Sequence, residues 1–236
     1  MAMSLPESTE KQRFVERMFD GIAPRYDFMN RLMTFGLDRA WRREAVAMLG
    51  VSEGDVVVDL GCGTGDLCED TAVTGATVVG VDVSAGMLGR AMERMPQFTF
   101  LRADAAALPL ADASCAAAIS GFALRNFASI PGVIAEVARV IRPGGTLAVL
   151  EVDVPRAAPL RAAFDMYFGR VVPALGRLMS TGYAYSYLAD SLVYLPTDSE
   201  FASMLEQAGF EQIGKRNFAV GAAQLVTAVR SGEPLS

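Results

Sequence analysis

Val56–Asp66 reads VVVDLGCGTGD, and a second run, TVVGVD, ends at Asp82. A short, nearly continuous apolar run bounded by glycine is a strand covered by helices on both faces. Val56–Leu60 then enters Gly61-Cys62-Gly63-Thr64-Gly65-Asp66, where glycine permits a sharp turn and close backbone approach to a ligand. A helix is expected from about Asp66. A dinucleotide site would ask for Gly-x-Gly-x-x-Gly, with pyrophosphate facing the helix N-terminus. The sixth position here is Asp66, which would repel a diphosphate. S-adenosylmethionine has no phosphate and carries a sulfonium and an ammonium, so Asp59 and Asp66 suit it better. Asp82 lies where a carboxylate accepts two hydroxyls of a ribose. Asp104 follows a third strand and is placed either to accept the adenine amine or to cap the turn Ala105–Ala107.

The same rhythm continues on both sides. Strands are expected at Val56–Leu60, Thr77–Val81, Phe98–Leu101, Cys115–Ser120 and Thr146–Val152, with helical patterns between them. Ile141-Arg142-Pro143-Gly144-Gly145 reads as a helix stop and a turn. Phe210–Phe218 and Gln224–Val229 suit a closing antiparallel hairpin. The fold is therefore α/β, a Rossmann-like, doubly wound, mostly parallel seven-stranded sheet. Upstream, Phe14, Val15, Met18, Phe19 and Ile22 recur at helical spacing, after a polar start expected to fray through residue 10. Pro24 opens a new turn. A helix over Asp38–Leu49 turns Trp41, Ala45, Met48 and Leu49 inward. From Pro155 to about Pro196 the sequence is helical and rich in Met and aromatic residues. Thr197 with Glu200 forms a capping box. One domain over 1–236 divides into an N-terminal helical segment (1–50), a cofactor-binding core (51–154), a helical substrate cap (155–196) and the end of the sheet (197–236).

Composition excludes several chemistries. The chain has 236 residues, 52% of them hydrophobic, enough for a sizeable core. With no histidine, histidine triads are excluded and a bound metal is not expected. Cys62, Cys68 and Cys115 fit neither a disulfide framework nor a zinc site, and no cation beside Cys62 makes it a nucleophile. The net charge of −6 argues against nucleic-acid partners. No apolar run approaches a spanning helix and no signal-like start is present, so a cytoplasmic protein is expected.

VVDLGCGTGD, GVDVSAGML, ADAAALPLAD and RVIRPGGTLAVLE together resemble the successive motifs of class I S-adenosylmethionine methyltransferases. More narrowly, Met18–Leu32 (MFDGIAPRYDFMNRL), Phe122–Asn126 (FALRN) and Tyr185–Leu188 (YSYL) resemble the C-methyltransferases of menaquinone and ubiquinone biosynthesis, over about residues 13–230. The resemblance implies methylation of a ring carbon of a prenylated quinol, demethylmenaquinol ahead of the ubiquinone-precursor benzoquinol. The alternative is another small aromatic or terpenoid acceptor. It implies cofactor contacts from Thr64, Asp82, Asp104 and Ala105, to which the loop reading adds Asp59, Gly61, Gly63 and Gly65. Gly121 stands where the family often has serine or glycine, and Ala123 where it usually has glycine.

The resemblance further implies that Arg125, Asn126 and Tyr26 hold an activating water. Guanidinium lowers the cost of a nearby oxyanion, while Asn and Tyr orient the water. The plainer alternative is that Arg125 and Asn126 brace the turn after the fourth strand and Tyr26 packs with Met29. Asp27 either pairs with Arg125 or caps its own turn. Met29, Met33, Phe35, Phe164, Met166, Tyr167, Phe168 and Met179 either line a channel for the prenyl tail or form core. Arg39, Arg42 and Arg43 either meet anionic lipid or form a solvated face with Glu44. A peripheral membrane contact and a homodimer remain open partners beside the lipophilic quinol.

Overall fold

In the computed structural model, Val56–Leu60 (β1) pairs in parallel with Thr77–Asp82 (β2) on one side and Cys115–Gly121 (β4) on the other. The structure describes residues 8–172, 174, 187 and 190–232. Thr99–Arg102 (β3) extends the sheet beyond β2, and Ile141–Val152 (β5) runs parallel to β4. Ala223–Arg230 (β7) and Phe210–Phe218 (β6) add antiparallel to the far edge, giving the order β3-β2-β1-β4-β5-β7-β6. The seven strands and the closing antiparallel pair are as the apolar runs predict.

Helices cover both faces because alternate strand residues face opposite ways. Val58, Leu60 and Ala118 join the core under Ile130–Val140 (α6). Val57, Ala117 and Ile119 join the core on the other face with Ala45, Val46 and Leu49 at and beyond the end of Asp38–Ala47 (α3). Asp66–Ala72 (α4) follows β1, and Ala85–Arg94 (α5) follows β2. Asp198–Gln207 (α8) begins with the expected reciprocal cap between Thr197 and Glu200.

Several expectations are corrected. The first helix, Ser8–Ile22 (α1), starts within the segment expected to fray, and its face Val15, Met18 and Ile22 is buried. Asp20 anchors it by accepting hydrogen bonds from Ser84 Oγ (2.6 Å) and Gly86 N (2.8 Å) at the start of α5. Met48, read as inward, is exposed, because the helix ends at Ala47 and the chain turns away. Ile141–Gly145 is not a turn before the strand. It belongs to β5 as an irregularity in which Cys115 faces Ile141 while Ala117 faces Thr146. A bulge accommodates the extra residues and leaves the flanking pairing intact. β3 is also displaced by one residue, running to Arg102.

The chain beyond β5 forms Ala158–Met166 (α7), which continues as one π-helical turn over Tyr167–Val171. Tyr26–Met33 (α2) faces it, and Tyr167 Oη donates to Met33 O at 3.0 Å.

Candidate active site

Two cavities meet over the carboxyl ends of the central strands, where open α/β sheets bind ligands. The first lies among Gly61 and Gly63 after β1, Asp82 ending β2, Ala103–Ala105 after β3 and Gly121–Ala123 after β4. Gln12, Val15 and Phe19 of α1 cover it. The second is bounded by α1, α2, the turn holding Arg125 and Asn126, and Phe168. Phe19, Tyr26, Phe122 and Asn126 line both and so form the wall between them.

Glycine is required at the lip of the first cavity. Gly61 has φ +67°, and a Cβ there would sit 2.6 Å from Ala123 Cβ. Ala123 thus packs on the loop and lines the cofactor-side cavity. Asp82 spreads its carboxylate between two backbone donors, with Gly63 N at 2.8 Å from Oδ2 and Ser84 N at 2.8 Å from Oδ1. Burial pushes its pKa up while those N–H bonds draw it back. Each oxygen keeps a lone pair for a ligand hydroxyl. Asp104 serves the cap reading, since Oδ1 accepts from Ala106 N at 2.9 Å, and it also lines the cavity.

The other acids of the loop are corrected. Asp59 is 0% exposed and lies off the cavity, beneath α4, where it accepts from Cys68 Sγ at 3.2 Å. On β1 it shares the face of Val57, not the strand's open end. Burial pushes its pKa up to about 7, and the Cys68 hydrogen bond pulls the other way. Asp66 meets Arg94 at 2.9 Å and Arg42 at 3.3 Å, so its charge is neutralised by protein. Thr64 and Gly65 also lie off the lining. Thr64 Oγ1 donates to Asp27 Oδ1 at 2.5 Å, and Arg94 Nη1 donates to Thr64 O at 3.0 Å and reaches Asp27 at 3.5 Å. Asp27 therefore neither pairs with Arg125 nor acts only on its own turn; it ties α2 to the glycine loop. What remains on the first cavity is two carboxylates, Asp82 and Asp104, and no lysine or arginine among the described residues. That donor set fits S-adenosylmethionine and opposes a phosphate ligand.

In the second cavity Arg125 is the one charged lining residue among those described. It is 4% exposed, pairs closely with Glu151, and gives Nη1–H to Phe122 O at 3.0 Å. Glu151 also accepts from Arg125 N at 3.3 Å and Val152 N at 2.8 Å. Asn126 Nδ2 donates weakly to Phe122 O at 3.4 Å. Both residues therefore brace the Phe122 turn, where φ is +58°, and also face the cavity. Arg125 Nε, Asn126 Oδ1 and Tyr187 Oη are buried without a partner among the described residues. Tyr26 packs edge-on with Phe19 at 5.9 Å, not with Met29, which is core. Burial raises the Tyr26 pKa well above its usual value, so its phenol is a donor and not a base.

The Met and aromatic stripe divides. Met33 and Phe168 line the second cavity, Met29 and Phe164 are core, and Phe35 and Met166 are exposed. Met179 lies outside the described residues. Arg42 is buried among Asp38, Asp66 and Asp70, so it cannot meet lipid. Glu151 and Tyr187 were not anticipated. A lone carboxylate inside the apolar run LAVLEV was the available signal for the first; the second stands within YSYL, a stretch that carries the family resemblance but does not say which tyrosine reaches the cavity.

A family model described as the ubiE/COQ5 methyltransferase family matches residues 7–230. A ubiquinone/menaquinone biosynthesis C-methyltransferase of Syntrophotalea carbinolica is 40% identical, over 91% of this chain and 93% of its own. A demethylmenaquinone methyltransferase of Roseiflexus castenholzii is 38% identical, over 97% of this chain and 98% of its own. The solved structure of a SAM-dependent methyltransferase from Thermotoga maritima superposes with TM-score 0.66 at 19% identity, covering 92% of this chain and 100% of that one.

Proposed function

Since the chain belongs to the ubiE/COQ5 methyltransferase family, we propose that it methylates a ring carbon of a prenylated quinol, with demethylmenaquinol as the preferred acceptor. The single observation that carries this reading is the shared wall. Among the described residues, an acid-lined cavity free of basic residues and an apolar cavity holding one arginine touch across Phe19, Tyr26, Phe122 and Asn126. The names of the relatives from Syntrophotalea carbinolica and Roseiflexus castenholzii support the same acceptor class.

S-adenosylmethionine, when bound, supplies an electrophilic methyl group and leaves as S-adenosylhomocysteine. Asp82 holds the ribose hydroxyls and Asp104 the adenine amine, while Gly61, Gly63, Ala105 and Gly121 give the clearance. On the other side, Arg125 favours a quinol oxygen in its ionised form, which raises the nucleophilicity of the ortho carbon. Tyr26 and Asn126, standing in the wall, fix a water or the ring oxygen beside the reacting carbon. Alignment of this kind is worth up to roughly 7–11 kcal/mol of barrier. No carboxylate lines the second cavity among the described residues, so the ring proton leaves to water.

The acceptor is lipophilic, and the mouth of its cavity is set in an apolar surface. On α2 and the turn after it, Phe28, Leu32 and Phe35 are exposed, at 60%, 38% and 76%. Met166 and Val171 of α7 and its π turn are exposed as well, and Phe35 stacks obliquely on Tyr167 at 5.7 Å. Arg31 and Arg170 are exposed on these same two elements. Met33 and Phe168, from the same elements, line the cavity. This face suits peripheral contact with an anionic bilayer, which no described helix is long and apolar enough to cross. Transfer of labelled methyl to demethylmenaquinol in anionic vesicles is expected to proceed. Phe28→Ser with Phe35→Ser is expected to reduce it severalfold while sparing a short-tailed quinol in detergent. Equal loss with both acceptors would refute the membrane contact, and concentration-dependent dimerisation abolished by the same variant would assign the face to a second copy. Absence of transfer to any quinol would refute the reading as a whole.

A further inference from the structure

We propose that Tyr187 holds the quinol oxygen remote from the reacting carbon and so selects para-diols over monophenols. The inference rests on the acceptor class argued above. Tyr187 is 1% exposed, and its ring is fully used in packing. It lies against Phe14 with centroids 5.2 Å apart and joins Val15, Met18 and Ile22 of α1 in one cluster. A phenylalanine would fill that space equally well. Its hydroxyl has no partner among the described residues. A buried hydroxyl left unpaired costs stability, so its retention calls for a ligand that completes it.

The position of Tyr187 says which ligand atom that is. The wall residues Tyr26 and Asn126 line both cavities, so they stand nearest the transferred methyl and the oxygen ortho to the reacting carbon. Tyr187 lines only the second cavity, farther from the methyl donor. A para-diol has a second oxygen on that far side, and a monophenol does not. Burial keeps the Tyr187 phenol protonated despite the nearby Arg125 charge, so it offers a hydrogen and removes none. Arg125 Nε and Asn126 Oδ1 are likewise buried and unpartnered. The unpartnered buried atoms of these three lining residues are two donors and one acceptor, the complement of a diol that has lost one proton: its oxyanion accepts and its remaining hydroxyl donates and accepts. A site built to bond a hydroxyl discriminates strongly against the analogue lacking it, because the protein group is then left unpaired.

The test compares wild type and Tyr187→Phe on two acceptors, reduced demethylmenaquinone and the matching prenylated 1-naphthol, which keeps the oxygen ortho to the reacting carbon and lacks the remote one. The expected result is a fall in kcat/KM of roughly 10- to 100-fold on the diol, no change on the naphthol, and a melting temperature equal to or above wild type. Equal losses on both acceptors, no loss on the diol, or a lower melting temperature would overturn the proposal. Wild-type inactivity towards the diol would instead overturn the acceptor class and this inference with it. Turnover of the diol by wild type and variant alike would overturn the role of Tyr187 alone.

Discussion

Asp82→Ala is expected to lower S-adenosylmethionine affinity by about 100-fold or more in calorimetry. Hydrogen bonds to a charged acceptor are worth roughly 1.5–3 kcal/mol each, and on the proposed reading two ribose hydroxyls meet this one carboxylate. At about 1.4 kcal/mol per tenfold, losing both reaches that range. The effect is amplified because the same carboxylate fixes the loop through Gly63 N and the start of α5 through Ser84 N. Asp82→Asn does not restore it. An amide turns one of the two acceptors into a donor aimed at a backbone N–H. Unchanged affinity in either variant would remove the cofactor from this cavity.

Arg125→Ala has the second large effect, and it has two parts. Arg125 and Glu151 are a buried ion pair, with side chains 5% and 1% exposed. Removing one partner of such a pair costs about 3–5 kcal/mol, and in a chain of this size each kcal/mol moves Tm by roughly 2–4 °C. A drop near 10 °C is therefore expected. Turnover is expected to fall by about 100- to 1,000-fold, the usual cost of deleting one oxyanion donor. The double variant Arg125→Met with Glu151→Gln separates the two. It removes both charges and keeps one of the two acceptors that Arg125 N and Val152 N use, so it recovers part of the lost Tm. It still binds S-adenosylmethionine, since neither residue lines the first cavity, and it stays inactive. Near-normal turnover of the double variant, followed with labelled methyl, would show that Arg125 only braces its turn.

The parts of this protein that are local in sequence were legible, and the parts made by distant partners were not. Buried parallel strands announce themselves as apolar runs ended by glycine or aspartate, so β1, β2 and β4 are found within a residue of their expected bounds. The Thr197–Glu200 cap needs only four consecutive residues. Asp66 illustrates the opposite case. Read locally it is an acid at a cofactor loop; in the fold Arg94 and Arg42 reach it from elsewhere in the chain and cancel it. The preference for a phosphate-free cation survives on Asp82 and Asp104 instead. Asp59 was misplaced for a reason visible in strand geometry, since period-two alternation turns it under α4, away from the crevice. The Ile141–Gly145 stretch was misread because glycine and proline mark bulges as well as turns. Arg125, Asn126 and Tyr26 were named through resemblance and all line the second cavity. Glu151 and Tyr187 escaped because their importance lies in what they meet across the sheet end.

The measurement closest to the central claim is the position of the transferred methyl group. Wild-type protein is incubated with S-adenosylmethionine carrying a carbon-13 methyl and with reduced demethylmenaquinone, and the product is read by NMR. The expected result is a single aryl-methyl resonance on the ring carbon ortho to a hydroxyl. A methoxy resonance, or label carried only by soluble phenols in competition, would contradict C-methylation of a prenylated quinol.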